Sequence, residues 1–349
     1  MSLAGNTTRS LVLNLLALVC FAANLLSQTL PLRVLPKPAR AMLENYVLIP
    51  AGSYSKNVYN GYDSLQFQFP VTATVDSFYM SRFEITVEEY LRFYEETGDL
   101  QNKYDSAVWT KDYPYAYNEP MTLHYYKTPA FRQYPAIGIT WYQAIRFCQW
   151  KTGQVNALLQ GSGYTVEIGL PGETEWQYAA AGPRSVGDEG KIRDVNVFPW
   201  KGGFLAPHPS GRGLQLSCNS GPIRTPQQFD LTGHPSDGGL YTMPVHSFKA
   251  NGYGLYQMAG NVAEWTMDNY SVDMVRLAAA QLKFEDNPEV LGRYTPIFPL
   301  GKYDDYKIVK GGSWADEPFY MQIGVLKIQH PDRASSTVGF RPVLRIYRQ

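Results

Sequence analysis

The stretch Asn251-Gly-Tyr-Gly-Leu-Tyr-Gln-Met-Ala-Gly-Asn-Val-Ala-Glu-Trp265 combines turn-forming glycines with aromatic residues and ends beside a carboxylate. Alternate residues of an extended loop aim their carbonyls the same way, so Gly260, Val262 and Glu264 can form part of an oxygen cage. Calcium is the metal that carbonyl and carboxylate ligands of this kind suit best. The spacing alone also fits a second interpretation, in which Glu264 only caps a turn and accepts backbone hydrogen bonds.

Two glycine pairs mark places where the backbone bends or approaches another segment closely. Asp237 precedes Gly-Gly and offers a second carboxylate on a bendable backbone. The run Lys310-Gly-Gly-Ser-Trp-Ala-Asp316 predicts positive φ or close packing at the end of a strand. Downstream, Gly339-Phe-Arg341 supplies an arginine that we expect to pair with a buried carboxylate.

Two helix starts can be recognised from capping boxes. Thr86 with Glu89, and Thr140 with Gln143, each predict a helix, and Gly153 is expected to end the second one. Strand-like runs lie near the beginning and at the end of the sequence, with irregular glycine-rich sequence between them. Helices and strands that do not alternate regularly favour an α+β fold over a parallel α/β sheet.

The composition excludes some classes of function. The 349 residues include 31 basic and 31 acidic side chains, with no long run of one sign, so we predict no binding of nucleic acid. The five histidines show no close ligand spacing, which argues against a histidine-built zinc or iron centre. With 44% hydrophobic residues, the protein is able to bury a sizeable core.

The N-terminus has the pattern of an export signal, in which an early arginine precedes an apolar run. We predict a signal peptide over 1–27 and a connector over 28–45; an uncleaved membrane anchor is the alternative. Cys20 is a candidate for lipid acylation, but the residues before it lack the small side chain of such processing sites, so the support is weak. Cys148 and Cys218 then remain, and a single bridge between them stays open.

These landmarks resemble, in order, the motifs of the formylglycine-generating enzyme (sulfatase-modifying factor) family. They are Phe78-Tyr-Met-Ser-Arg-Phe-Glu-Ile-Thr86, Leu170-Pro-Gly-Glu-Thr-Glu-Trp-Gln-Tyr-Ala-Ala180, Phe198-Pro-Trp200, Asn251 to Trp265, Gly311-Gly-Ser-Trp314 and Gly339-Phe-Arg341. The resemblance implies the irregular α+β formylglycine-generating-enzyme fold, which is related to C-type lectins. It covers the sequence from residue 46, so we expect a single domain over 46–349 with insertions near 101–134 and 268–300.

The resemblance also implies structural calcium. By position, the family's two sites match Asp237, Gly239 and Asn219 in the first, and Gln257, Gly260, Val262 and Glu264 in the second. Gln257 stands where the family commonly has Asn or Asp. Bound Ca2+ would hold irregular loops that have few backbone partners of their own.

The catalytic positions depart from the family. Its active members hold copper through two cysteine thiolates after the Gly-Gly-Ser motif, and the equivalent residues here are Asp316 and Met321. A carboxylate is a hard ligand and a thioether is neutral, so neither replaces a thiolate. Cys148 and Cys218 lie in other motifs and are not expected at this site. We therefore predict no copper and no oxidation of a sulfatase cysteine, and we interpret Ser313, Asp316 and Met321 as a degenerate site.

The motifs look most like those of the non-catalytic GldK and GldJ lipoproteins of type IX secretion and gliding motility. The resemblance implies an exported pseudoenzyme, a structural subunit in the periplasm at the outer membrane. Its partners would be other secretion or motility subunits in a ring or large oligomer, with no small-molecule substrate. The segments 101–134 and 268–300 are the predicted contact surfaces. Two alternatives remain: a calcium-stabilised enzyme with altered chemistry at Ser313, Asp316 and His330, and a lectin-like ligand-binding module.

Overall fold

A computed structural model describes residues 29–60, 69–114, 118–183, 197–201, 205–207, 214–221, 238–270 and 305–349. The predicted signal peptide, Cys20, Asp237 and residues 271–300 of the second predicted insertion lie outside these ranges. Among the helices that are described, none has the length and the apolar composition needed to cross a bilayer.

The described helices and strands follow a mixed order along the sequence. The α-helices are α1 Lys37–Met42, α2 Val87–Thr97, α3 Val108–Asp112, α4 Glu119–His124, α5 Trp141–Leu158 and α6 Glu173–Ala181. The strands are β1 Tyr46–Ile49, β2 Gly52–Asn60, β3 Phe69–Val75, β4 Phe78–Ser81, β5 Tyr164–Gly169, β6 Leu205–Pro207, β7 Leu214–Leu216, β8 Ala263–Asn269, β9 Lys307–Lys310, β10 Val325–Gln329, β11 Val338–Gly339 and β12 Val343–Arg348. Short 3-10 turns cover Leu32–Val34, Leu100–Asn102, Pro129–Phe131 and Pro318–Met321.

The strands form two main sheets. One has four strands in the order β1-β4-β12-β5, and the other has six in the order β11-β8-β9-β10-β2-β3. Most neighbours are antiparallel, whereas β8 pairs with β11 and β2 pairs with β10 in parallel. The strands β6 and β7 form a separate hairpin pair. This arrangement confirms the predicted α+β class.

Both predicted N-cap threonines start helices, and the full capping box forms at Thr140. The Thr86 hydroxyl accepts a hydrogen bond from the N–H of Glu89 at the start of α2. At the start of α5, the Thr140 hydroxyl accepts from the N–H of Gln143, whose side chain accepts from the Thr140 N–H in return. Local capping chemistry was therefore sufficient to place these two helix starts.

The predicted end of the second helix at Gly153 is wrong, because α5 continues to Leu158. Val155 in the added turns is fully buried. The side-chain amide of Asn156 bonds both the C=O and the N–H of Val166, at distances of 2.9 and 2.8 Å, on the edge strand β5. These contacts outweigh the cost of about 1 kcal/mol for a glycine within a helix.

Residues 29–45 of the predicted connector are part of the folded unit. It contains α1, and both Ala39 and Leu43 are fully buried in the main core. The N–H of Leu32 donates to the hydroxyl of Tyr79 on β4, at 2.9 Å. The predicted domain start at residue 46 is therefore too late, because apolar side chains before it already pack against the sheet.

The described part of segment 101–134 contributes buried aromatic side chains to the core, although many of its other residues are exposed. Trp109 and Tyr125 are buried, and their rings pack edge to face with centroids 5.3 Å apart. The Tyr125 hydroxyl donates to the C=O of Pro135 at 2.8 Å, so the ring is buried with its polar end paired. These aromatic residues stabilise the domain, so they are not available as the contact surface predicted from the sequence.

Candidate functional site

The Gly-Gly-Ser turn follows β9 directly and sets the geometry of the candidate site. Gly311 and Gly312 have φ angles of +92° and +67°, a region that favours glycine. A Cβ atom on Gly312 would lie only 2.9 Å from the Met321 sulfur. The turn leaves Ser313 fully buried behind the strand. Both glycines are therefore required, as the double glycine predicted.

Asp316 is paired on both oxygens of its carboxylate. Oδ2 accepts a hydrogen bond from the Ser313 hydroxyl at 2.6 Å, and Oδ1 lies 2.5 Å from the ammonium of Lys327 on β10. The Lys327 ammonium also lies 5.3 Å from the centroid of the Tyr320 ring. The backbone carbonyl of Asp316 accepts from the N–H of Gly221 at 2.8 Å. Each oxygen of the Asp316 carboxylate therefore has a partner within the protein.

Met321, which the resemblance places where active members have their second thiolate, is fully buried in a small apolar cluster. The cluster also contains Phe198, Cys218 and Ala259. Cys218 therefore lies beside Met321, contrary to the prediction that it lies away from this site. The structure shows no disulfide for Cys148 or Cys218, which corrects the bridge left open above, and burial raises the pKa of the Cys148 thiol.

The structure does not bring His330 together with Ser313 and Asp316. Its ring packs edge-on against Tyr306, with centroids 5.3 Å apart, and its Nδ1 lies 3.8 Å from the carboxylate of Asp332. The basic group that does face Asp316 is Lys327, which sequence reasoning missed. No local pattern signals this contact, since the two residues lie on different elements.

Glu264 pairs with Arg341 in the core, as predicted for the arginine. Arg341 Nη2 lies 2.8 Å from Oε1, and Arg341 Nε lies 3.0 and 3.1 Å from the two oxygens. The indole N–H of Trp176 donates to Oε2 at 2.7 Å. Because these bonds use the lone pairs of both oxygens, we do not retain Glu264 as a metal ligand.

The two loops predicted to bind calcium lie side by side. The N–H of Asn261 donates to the C=O of Asn219 at 2.9 Å, and a Cβ on Gly260 would lie 2.1 Å from that same oxygen. Asn219 and Gln257 are both buried, at 1% and 5% exposure, and Gln257 has a φ of +51°. Asp237 lies outside the described residues.

Each loop predicted to bind calcium has one side-chain oxygen without a hydrogen-bond donor among the described residues. Among the described residues, neither Asn219 Oδ1 nor Gln257 Oε1 has a hydrogen-bond partner. The Nδ2 of Asn219 donates to the C=O of Tyr241 at 2.8 Å, so its amide orientation is fixed with the oxygen free. Buried oxygens without donors are unusual and suit a hard cation. The amide ligands therefore fit calcium, whereas Glu264 does not.

A buried carboxylate lies next to these loops. Glu84 accepts from the Asn261 amide at 2.8 Å and from the N–H of Val262 at 3.3 Å. Burial, together with the nearby charge of Glu264, raises the pKa of the Glu84 carboxyl well above its ordinary value. Sequence reasoning did not single out Glu84, because its partners lie far along the sequence.

Comparison with known proteins places these features in a family. The chain matches the model of the sulfatase-modifying factor enzyme 1-like domain over residues 32–346. It is 24% identical to the formylglycine-generating enzyme of Mus musculus over 336 residues, which are 87% of this chain and 76% of that protein.

A second relative is a larger protein. The chain is 26% identical to the serine/threonine-protein kinase pkn1 of Chlamydia pneumoniae over 320 residues, which cover 88% of this chain but span only 38% of that relative. The fold is similar to that of PvdO from Pseudomonas aeruginosa, with a TM-score of 0.50 at 18% identity over 86% of this chain and 94% of the other. These findings confirm the predicted formylglycine-generating-enzyme fold. The chain belongs to the family of the sulfatase-modifying factor enzyme 1-like domain.

Proposed function

We propose that this protein is a non-catalytic member of its family, a pseudoenzyme that works as a structural, protein-binding subunit. The observation that carries the proposal is the pairing of Asp316. Its carboxylate is bonded by Ser313 and Lys327, and Met321 is fully buried, so the positions of the two thiolates hold no reactive group. Ser313 is itself buried and donates to Asp316, which disfavours a serine nucleophile as the basis of an altered chemistry.

The proposed setting is a periplasmic, outer-membrane-associated assembly of type IX secretion or gliding motility. Its other subunits would be the partners of this protein, in a ring or large oligomer. The support comes from the sequence: the apolar, export-like N-terminus and motifs that resemble those of GldK and GldJ. The proposal includes no nucleic acid, no copper and no small-molecule substrate.

Structural calcium is part of the same proposal. The amide oxygen of Asn219 would contribute to the first predicted site and that of Gln257 to the second, because both are buried and lack hydrogen-bond donors among the described residues. A bound Ca2+ at each site would supply positive charge to these oxygens and hold its irregular loop in place. The remaining proposed ligands are Asp237, Gly239 and the carbonyls of Gly260 and Val262.

The test is recovery of the tagged full-length protein from its native cell envelope after mild crosslinking, followed by mass spectrometry and sizing. We expect stoichiometric recovery with other secretion or motility subunits in a large assembly. A tagged, unrelated exported protein processed in parallel controls for nonspecific crosslinking. Recovery of the protein as a lone monomer would overturn the structural-subunit proposal.

A further inference from the structure

We propose that Lys327 is a built-in cation that stands in for a metal ion at the degenerate site and closes that site to metals. The inference rests on the proposed non-catalytic function and assigns a positioning role to a residue outside the Gly-Gly-Ser motif. In this proposal, the Lys327 ammonium holds the segment after the turn in place by pairing with Asp316.

The contacts of the pair occupy both oxygens of the Asp316 carboxylate. The Lys327 ammonium lies 2.5 Å from Asp316 Oδ1, and the side chains are only 26% and 14% exposed. The second oxygen of Asp316 accepts from the Ser313 hydroxyl at 2.6 Å. A metal ion could use the carboxylate only after displacing the ammonium, and a carboxylate near an ammonium attracts a second cation weakly.

The position of Lys327 is fixed by the sheet. It lies on β10 and is paired across the ladder with Val309 of β9. The strand β9 leads directly into Gly311 and Gly312, the two turn residues with positive φ. The ion pair therefore ties the residues after the turn to the neighbouring strand, and the ring of Tyr320 borders the ammonium at 5.3 Å.

Replacing Lys327 with alanine should make the melting temperature of the protein depend on an added cation. Lys327→Ala leaves Asp316 as a partly buried, unpaired carboxylate and vacates the space of the ammonium. We expect a lower melting temperature than that of the wild type. Ethylammonium chloride should raise it again, whereas sodium chloride at the same ionic strength should not. The double variant Asp316→Asn with Lys327→Met should melt above Lys327→Ala and show no response to ethylammonium.

A matched control uses another lysine–aspartate pair of the same protein. Lys111 lies 2.6 Å from Asp105, but the two side chains are 63% and 36% exposed. Lys111→Ala should change the melting temperature little and should not respond to ethylammonium, because water already solvates that carboxylate. Lys327→Ala melting like the wild type, or ethylammonium and sodium acting alike, would overturn the inference.

A metal titration gives a second, independent readout. Lys327→Ala leaves the Asp316 carboxylate as a hard oxygen donor, whereas Asp316→Asn with Lys327→Met removes its charge. We expect Mg2+ to raise the melting temperature of Lys327→Ala more than that of the wild type or of the double variant. Equal responses of the three proteins to Mg2+ would contradict the role of Lys327 without touching the non-catalytic proposal. That proposal would fail separately, through peptide oxidation by the unaltered protein.

Discussion

Arg341 and Glu264 form an ion pair in the core, with 2.8 Å between Nη2 and Oε1 and side chains 0% and 1% exposed. The same guanidinium donates to the backbone carbonyls of Ser81, Arg82 and Tyr256, at 3.0, 2.6 and 2.6 Å. One side chain thus joins the end of β4, the loop before β8 and β8 itself. Through this arginine, the glycine-rich loop 251–262 is hydrogen-bonded to strands of both main sheets.

Arg341→Ala should therefore be strongly destabilising. It leaves Glu264 charged, buried and without its partner, which typically costs about 3–5 kcal/mol of unfolding free energy. Urea unfolding of the wild type and the variant measures the loss. The double variant Arg341→Met with Glu264→Gln should recover part of it. A single variant within about 1 kcal/mol of the wild type would contradict this role of the pair.

Calcium should raise the melting temperature of the wild type relative to the same protein in a chelator. Asn219→Ala and Gln257→Ala should each reduce that difference, because each removes a buried oxygen with no other partner among the described residues. Asn118→Ala is the control, since its amide donates to the Trp109 carbonyl at 2.6 Å and should be needed equally with and without calcium. Identical melting of the wild type in calcium and in chelator would show that these oxygens bind no stabilising Ca2+.

Asn156→Ala should destabilise the fold by about 1–3 kcal/mol, because the N–H and C=O of Val166 lose their side-chain partners. Gln154→Ala on the same helix is the control, as its amide makes only an exposed contact with Glu96. Denaturant unfolding of both variants compares them directly. Equal effects of the two substitutions would show that Asn156 does not hydrogen-bond the backbone of Val166 on β5 in solution.

The two cysteines of the folded domain should be unreactive in the native state. Both are buried, and burial raises the pKa of the Cys148 thiol, which lowers its thiolate fraction. In a Cys20→Ser background, a thiol reagent should label neither cysteine before denaturation and both afterwards. Adding Cys218→Ser should leave one labelled cysteine. Rapid labelling of the native protein, or no labelling after denaturation without reductant, would contradict the structure.

Motifs that act locally could be predicted from the sequence. The capping residues Thr86 and Thr140 placed helix starts, and the double glycine placed a turn with positive φ. The pairing of Arg341 with a buried carboxylate was expected from arginine's preference for carboxylate partners. The helix caps and the glycine turn depend on residues only a few positions apart. The arginine pairing depends on the chemical preference of a guanidinium for a carboxylate.

Features that depend on distant packing could not be predicted in the same way. Trp109 belongs to the core, but short helices and turns around it show no hydrophobic period. Lys327 looks like an ordinary strand lysine until β10 places it against Asp316. Glu264 matched a calcium ligand by position, and only its three-dimensional partners show that its oxygens are already used.

The most direct measurement is an oxidation assay on a sulfatase-derived cysteine peptide with Cu(I), oxygen and a thiol reductant that supplies the other two electrons needed to reduce O2 to water, followed by detection of the aldehyde product. The formylglycine-generating enzyme of Mus musculus is the positive control. We expect conversion by that enzyme and none by this protein, because the resemblance places Asp316 and Met321 where active members have two thiolates. Conversion of the peptide by this protein above the protein-free rate would contradict the non-catalytic function.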